Sequence, residues 1–239
     1  MILHGRNVGI YIKGVDVTGD LNSIQPVTEQ ELADVTCFGD AGHCYYPGLS
    51  KDLVAIEAVY DTTATAVWND LVQDTASGFG VMVTYKPTTG ADAYCTPDAA
   101  LKGQAIKSNV TDANRASINL EATKYLFEPC LLLTDGIYTT GIASTGDGTA
   151  LNCLSASATT GGTAYLQAFS VVGGTLTVHI EDSATGAFGG EETTTCTFAA
   201  ASSSEAQHIR LTSQIQQYAR VSWIGATSTA SFAVALHRD

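Results

Sequence analysis

The residues best equipped for chemistry crowd into one stretch, positions 34–50, DVTCFGDAGHCYYPGLS, where Cys37, His43 and Cys44 stand among Asp34, Asp40 and three glycines. Two thiols and an imidazole are zinc-ligand types. The six residues between the cysteines, however, exceed the usual gap of roughly two to four, and no second ligand pair lies nearby. A Cys–His nucleophile needs a third orienting group and a fixed pocket, whereas Gly39, Gly42 and Gly48 predict a mobile loop. The other histidines, His4, His179, His208 and His237, are scattered singly. The most carboxylate-rich segment, EDSATGAFGGEE, sets Glu181 and Asp182 against Glu191 and Glu192 but lacks the alternating aspartates of a calcium hand, and reads as a solvated hairpin loop. Nucleophile-elbow, zinc-protease, P-loop and dinucleotide motifs are absent, and no carboxylate pair is singled out for glycoside chemistry. The expectation is a protein without catalytic residue, metal or cofactor. What remains for the stretch is contact: Phe38, Tyr45, Tyr46, Pro47 and Leu49 put aromatic and apolar surface on a segment between two strands.

The elements around that stretch read as mainly β. Val8, Ile10 and Ile12 alternate as a half-buried strand does, and so do Val54 to Tyr60, Val81 to Tyr85, and Ile118 to Ala122. In the last of these, Ser117, Asn119, Glu121 and Thr123 form a wholly polar face opposite an apolar one. Residues 61–78, DTTATAVWNDLVQDTASG, predict one amphipathic helix carrying Ala64, Val67, Trp68, Leu71 and Val72 on one face. Further on, Leu176 to Ile180, Ile209 to Leu211, Ala219 to Trp223 and Phe232 to Leu236 alternate between Gly- and Ser-rich breaks, the pattern of a small β-sandwich. Texture changes near Thr134-Asp135-Gly136: residues 1–133 hold 16 acidic and 8 basic residues, residues 134–239 only 8 and 3. Two domains, 1–133 and 134–239, are therefore expected.

Across 239 residues the net charge is −13 and no Lys/Arg cluster occurs, which disfavours a phosphate-gripping surface. No signal-peptide pattern opens the sequence and no run approaches the ~20 apolar residues of a membrane span, so a soluble, unexported chain with no membrane partner is expected. The six cysteines then read as reduced thiols.

The segment GVDVTGDLNSIQPVTEQELADVTCFGDAGHCYYPGLSKDLVAIEAVYDTTATAVWNDLV resembles the major tail tube proteins of long-tailed bacteriophages. The shared order is an N-terminal strand, the DVTGDLNSI turn, Thr36 to Asp40 running into Pro47-Gly48, the IEAVYD strand and a helix with a central tryptophan, over about residues 5–130. Cys37 and Cys44 depart from that pattern. The resemblance implies an antiparallel tail-tube fold with one packed helix in 1–133 and an outward-facing Ig-like or jelly-roll-like β-sandwich in 134–239. It implies a structural virion protein, assembled in the host cytoplasm, whose hexameric rings stack into a tube conducting genomic DNA. Its partners would be itself, the tape measure protein, and tail terminator or distal tail proteins. Cys37, Phe38, Gly39, Asp40, His43, Tyr45, Tyr46, Pro47, Gly48 and Leu49 would reach a neighbouring subunit or ring. Glu29, Glu31, Glu57, Ser117, Asn119, Glu121 and Thr123 would line the channel, where acidic or neutral polar groups let DNA slide. A carbohydrate-binding β-sandwich surface protein, relying on Tyr165, Tyr218 and Trp223, is the alternative from composition.

Overall fold

A computed structural model describes residues 8–37, 42–59, 78–85, 88–109, 112–140, 145–157, 161–225 and 229–239. The protein is mainly β. Its strands are β1 (Gly9–Ile12), β2 (Val15–Asp16), β3 (Leu21–Asp34), β4 (Tyr45–Val59), β5 (Phe79–Thr84), β6 (Asp92–Asn109), β7 (Asp112–Ala122), β8 (Glu128–Leu132) and β9 (Tyr138–Thr140). There follow β10 (Thr145–Asp147), β11 (Leu151–Asn152), β12 (Gly162–Val171), β13 (Leu176–Ser183), β14 (Thr193–Thr197), β15 (Glu205–Leu211), β16 (Tyr218–Gly225) and β17 (Ala230–Arg238). The helix expected over 61–78 lies outside the described residues, save Gly78.

Contacts gather the chain into two compact units, one of Met1–Gly19, Phe79–Pro97 and Glu128–Asp239, the other of Asp20–Gly78 and Asp98–Phe127. In the first, β15, β12, β17, β8, the start of β6, β5, β1 and β2 lie side by side, with β9 also along β17. A second sheet runs β10-β16-β13-β14, with β11 beside β16. The two sheets bury their facing side chains against each other: Ala164 and Leu166 of β12 and Phe232, Val234 and Leu236 of β17 share one core with Val178 and Ile180 of β13 and Val221 and Trp223 of β16. Burying each large side chain contributes about 1.5–3 kcal/mol, so this core is the unit's main support.

A boundary at 133/134 falls inside this first unit. Leu132 of β8 and Ala93 and Cys95 of β6 share a cluster with Tyr165, Ala233 and Ala235. The turn at Thr134-Asp135-Gly136, where the texture changes, is anchored too: Thr134 Oγ1 donates to Gly136 O at 2.9 Å and accepts from Val234 N at 3.2 Å. The composition change at 134 marks where polar, turn-rich sequence begins, while β17 pairs with strands from both sides of it. β1 also differs from its half-buried expectation, since all four residues are buried. Tyr11 enters the cluster of Tyr165 and meets Phe169 edge-on at 5.0 Å, while Ile10 and Ile12 are buried on the other face.

The second unit is a four-stranded antiparallel sheet in the order β3-β4-β7-β6, using the remainder of β6. Val54, Ile56 and Ala58 on β4 and Ala116, Ile118 and Leu120 on β7 are its buried face, because their period of two matches the pleat.

Candidate interaction surface: a two-stranded arm and a polar sheet face

β3 and β4 pair from Leu21↔Ala58 out to Asp34↔Tyr45, but β7 accompanies β4 only from Leu53 to Val59. Beyond Leu53 the two strands have no third neighbour among the described residues. At a rise of about 3.3 Å per residue, seven or eight residues form an arm about 25 Å long. Tyr45, Tyr46, Pro47, Gly48 and Leu49 are therefore strand residues of β4, and the glycine-hinged loop expected over 34–50 reduces to a tip at 35–44. Gly48 suits that close pairing, since a Cβ there would stand 3.0 Å from Glu31 O. The sequence concealed β3 because LNSIQPVTEQELAD is polar, contains Pro26 and is mostly exposed, so its hydrogen bonds to β4 hold it extended without an apolar alternation. Leu32 (61% exposed), Tyr46 (69%) and Leu49 (77%), with Val35 and Tyr45, leave the arm's distal end apolar and open.

Phe38, Gly39 and Asp40 lie outside the described residues; the rest of the tip is tied locally. Asp34 Oδ1 accepts from Thr36 N at 3.0 Å and from the Thr36 hydroxyl, and Asp34 Oδ2 stands 3.0 Å from His43 Nδ1. The bonds from Thr36, and after them that from His43, hold the Asp34 carboxyl below the usual aspartate range. The His43 ring stacks on Tyr45 at 6.1 Å. Cys37 and Cys44 are both exposed, and among the described residues no three His, Cys, Asp or Glu side chains converge on a metal position.

Register collects most of the expected channel residues on one face of the second unit's sheet. Glu57 faces Ser117 and Ala55 faces Asn119, while Leu53 faces Glu121; on the other side of β4, Ser23 faces Glu57 and Glu29 faces Lys51. Since paired residues share a face, Glu29, Glu57, Ser117, Asn119 and Glu121 stand together with Ser23, Gln25 and Lys51. Thr123 lies past the end of β7, where its amide and hydroxyl donate to Asp98 O. Glu31 sits at the Gln30/Leu32 bulge of β3 and pairs with Lys51, a bond that lowers the carboxyl's pKa and raises the amine's. Lys102 occupies the Leu101/Gly103 bulge of β6 and reaches Glu121 Oε2 at 2.7 Å. Two of the four glutamates named here, Glu31 and Glu121, are thus paired with lysine, which leaves the group mildly acidic. Sequence reading missed the two lysines because each comes to its glutamate through strand pairing, 20 residues apart for Lys51 and Glu31.

The remaining candidates separate. Trp223 and Tyr165 are both 4% exposed; Trp223 packs on Tyr138 at 4.6 Å, and the Tyr165 hydroxyl donates to Glu128 Oε2 at 2.7 Å. Of the three aromatic residues invoked for sugar binding, only Tyr218 is half-exposed. Each acid of the 181–192 hairpin has its own partner: Glu181 binds Arg220 at 2.8 Å, Asp182 accepts from Gln216 N at 2.8 Å, Glu191 from Ser183 and Thr185, and Glu192 from Gly190 N.

No family model matches the chain, and no curated protein does. Among solved structures, it is similar to a chain of the virion of a native gene transfer agent particle (12% identity, TM-score 0.41, covering 53% of this chain and 98% of that one). It is also similar to the SPP1 tail tube (13%, 0.41, 53% and 78%) and to the SPP1 Dit protein, a hub of the adsorption apparatus of phages infecting Gram-positive hosts (11%, 0.40, 97% and 99%). Identities and TM-scores at this level do not assign the chain to a family.

Proposed function

We propose that this chain is a structural protein of a phage-type tail, polymerising as stacked hexameric rings into a tube that conducts DNA and performing no reaction. The observation that carries the reading is the arm. An isolated two-stranded ribbon is marginal in water, and one that also exposes Leu32, Tyr45, Tyr46 and Leu49 gains most by lying against another chain. Identical copies supply that chain, and a closed ring repeats the contact at every subunit. Support also comes from the order of segments over residues 5–130, in which the DVTGDLNSI turn, Thr36 to Asp40, Pro47-Gly48 and the IEAVYD strand follow one another as in tail tube proteins. The polar face of β3, β4 and β7 suits a channel wall: its lysines are occupied by Glu31 and Glu121 and so offer passing phosphates little purchase. Tape measure and terminator or distal tail proteins would meet the tube at its interior and ends.

Electron microscopy of the purified protein tests this. Stacked rings are the expected result. Single rings that never stack would make the protein a hub or cap, and a monomer that retains sugar would favour the surface lectin.

A further inference from the structure

Cys37 and Cys44 depart from the tail-tube pattern, and both are exposed, whereas Cys95, Cys130, Cys153 and Cys196 are buried. They stand on opposite legs of one tip. Past the last ladder pair, Asp34↔Tyr45, Val35 N donates to Cys44 O at 2.8 Å and carries the pairing outward by one residue. The Cys44 amide donates to Thr36 Oγ1 at 3.0 Å, and the Cys37 thiol folds back to donate to Val35 O at 3.6 Å. Both cysteines therefore border the Val35–Thr36 segment, Cys44 from across the hairpin and Cys37 from the same leg. Thr36 is itself bonded to Asp34 through its amide and hydroxyl, which fixes the hydroxyl that receives the Cys44 amide.

We propose that Cys37 and Cys44 are a redox pair that closes the tip of the arm with an intramolecular disulfide when the chain meets an oxidising thiol–disulfide couple. With glutathione disulfide as oxidant, one cysteine thiolate attacks a glutathione sulfur and releases one glutathione; the second thiolate then attacks the protein-side sulfur of the mixed disulfide and releases the other. Two protein thiols are oxidised, one glutathione disulfide is reduced to two thiols, and the protons lost by the cysteines pass to the glutathiones. Cys37 lies two positions beyond the residue facing Cys44. The Cys37 thiol turns back onto Val35 O, and Val35 is the residue bonded across the hairpin to Cys44, which brings the pair toward the Cα separation of at most about 7 Å that a disulfide needs. Two thiols on one short hairpin meet at an effective concentration in the millimolar range, which favours closure over cross-linking of dilute chains. The buried thiols are shielded from the same reagent.

The test uses the purified, reduced full-length chain in a glutathione redox buffer, read by intact mass, non-reducing electrophoresis and alkylation mapping. The expected product is a single chain lighter by two hydrogen atoms, with positions 37 and 44 closed to alkylation and the other four cysteines alkylated only after unfolding. C37S and C44S, both at exposed positions, should keep the native circular dichroism, fail to lose the hydrogens and each retain one glutathione. Covalent dimers or ladders as the main product, a chain carrying two glutathiones without closure, or a chain that does not react would each overturn the proposal. The reaction is run on unassembled monomer, checked by sedimentation, so that it reads the cysteine pair separately from tube formation.

Discussion

Two backbone positions in the left-handed region separate strain that the fold requires from strain it merely carries. Gly14 (φ +75°) follows β1, its amide bonded to Gln167 Oε1 at 2.7 Å, and a Cβ there would press on Ala168 O and stand 2.6 Å from Glu205 N. Gly14→Ala should therefore cost more than about 2 kcal/mol, read as a fall in the urea midpoint; an unchanged midpoint would refute the packing at this turn. Leu154 has φ +70° and is 86% exposed, in a turn pinned by Asn152 and by Arg238, which donates to Cys153 O at 3.1 Å. Leu154→Gly removes a left-handed cost of about 1–2 kcal/mol against an entropic loss of about 1 kcal/mol, so the midpoint should hold or rise slightly. At the tip, the depressed pKa of Asp34 fixes the sign of a pH effect. The tie to Thr36 and His43 is fully present above the ordinary aspartate value and is lost as pH falls through the lowered one. Protection of the Thr36 and Cys44 amides, taken as the exchange rate relative to the intrinsic rate at each pH, should be constant above about pH 4 and fall below it, and Asp34→Asn should abolish that step.

Among the elements, the arm is the one whose removal should spare its own unit. The buried face of the sheet is made by residues from Asp52 inward on β4 and by β7, none of them between 31 and 49. Excising 31–49 and joining Gln30 to Ser50, which already face each other, through an Asn-Gly turn should leave a folded monomer that no longer self-associates. Sedimentation and circular dichroism read the two halves of that expectation. A shortened chain that still forms long tubes would remove the arm from the assembly, while one that unfolds would place it in the core. Simply deleting 38–48 is a poorer experiment, because it strips the outer residues of β3 of their partners on β4.

At the scale of the molecule, strand interleaving governs truncation and charge governs transport. A chain ending at Leu133 keeps β1, β5, β6 and β8 but loses Tyr165, Ala233 and Ala235, a third of the buried cluster that contains Tyr11, Met82 and Leu132. It is expected to lose cooperative unfolding rather than to form a thinner tube, and a sharp thermal transition in that fragment would contradict the observed units. Glu121→Lys changes the polar face by two charges per subunit and releases Lys102 from its 2.7 Å pair. If the face lines a channel, assembled mutant protein should retain DNA at low salt and release it as salt rises, since each phosphate contact displaces condensed counterions. Equal retention by wild type and mutant across a salt series would place Glu121 elsewhere.

Several strands were fixed by local sequence. Ile118 and Leu120, and Leu176 to Ile180, each have one face to bury, and a two-residue period expresses that need without reference to any neighbour, whereas Phe232 to Leu236 alternates large side chains with Ala233 and Ala235, which are buried on the opposite face. The sequence also concentrated exposed aromatic residues near Pro47-Gly48 and set Ser117, Asn119 and Glu121 on one polar face. Tertiary structure decided the rest. β12, covered on both sides over most of its length, shows no alternation because alternation records a single buried face. β3 is extended because β4 satisfies its backbone, and its polar side chains carry no trace of that pairing. The lysines that neutralise Glu31 and Glu121 arrive by register and bulge, and β17 joins strands from both sides of residue 134 because hydrogen bonding between strands depends on which edges meet, a choice made by the whole chain at once.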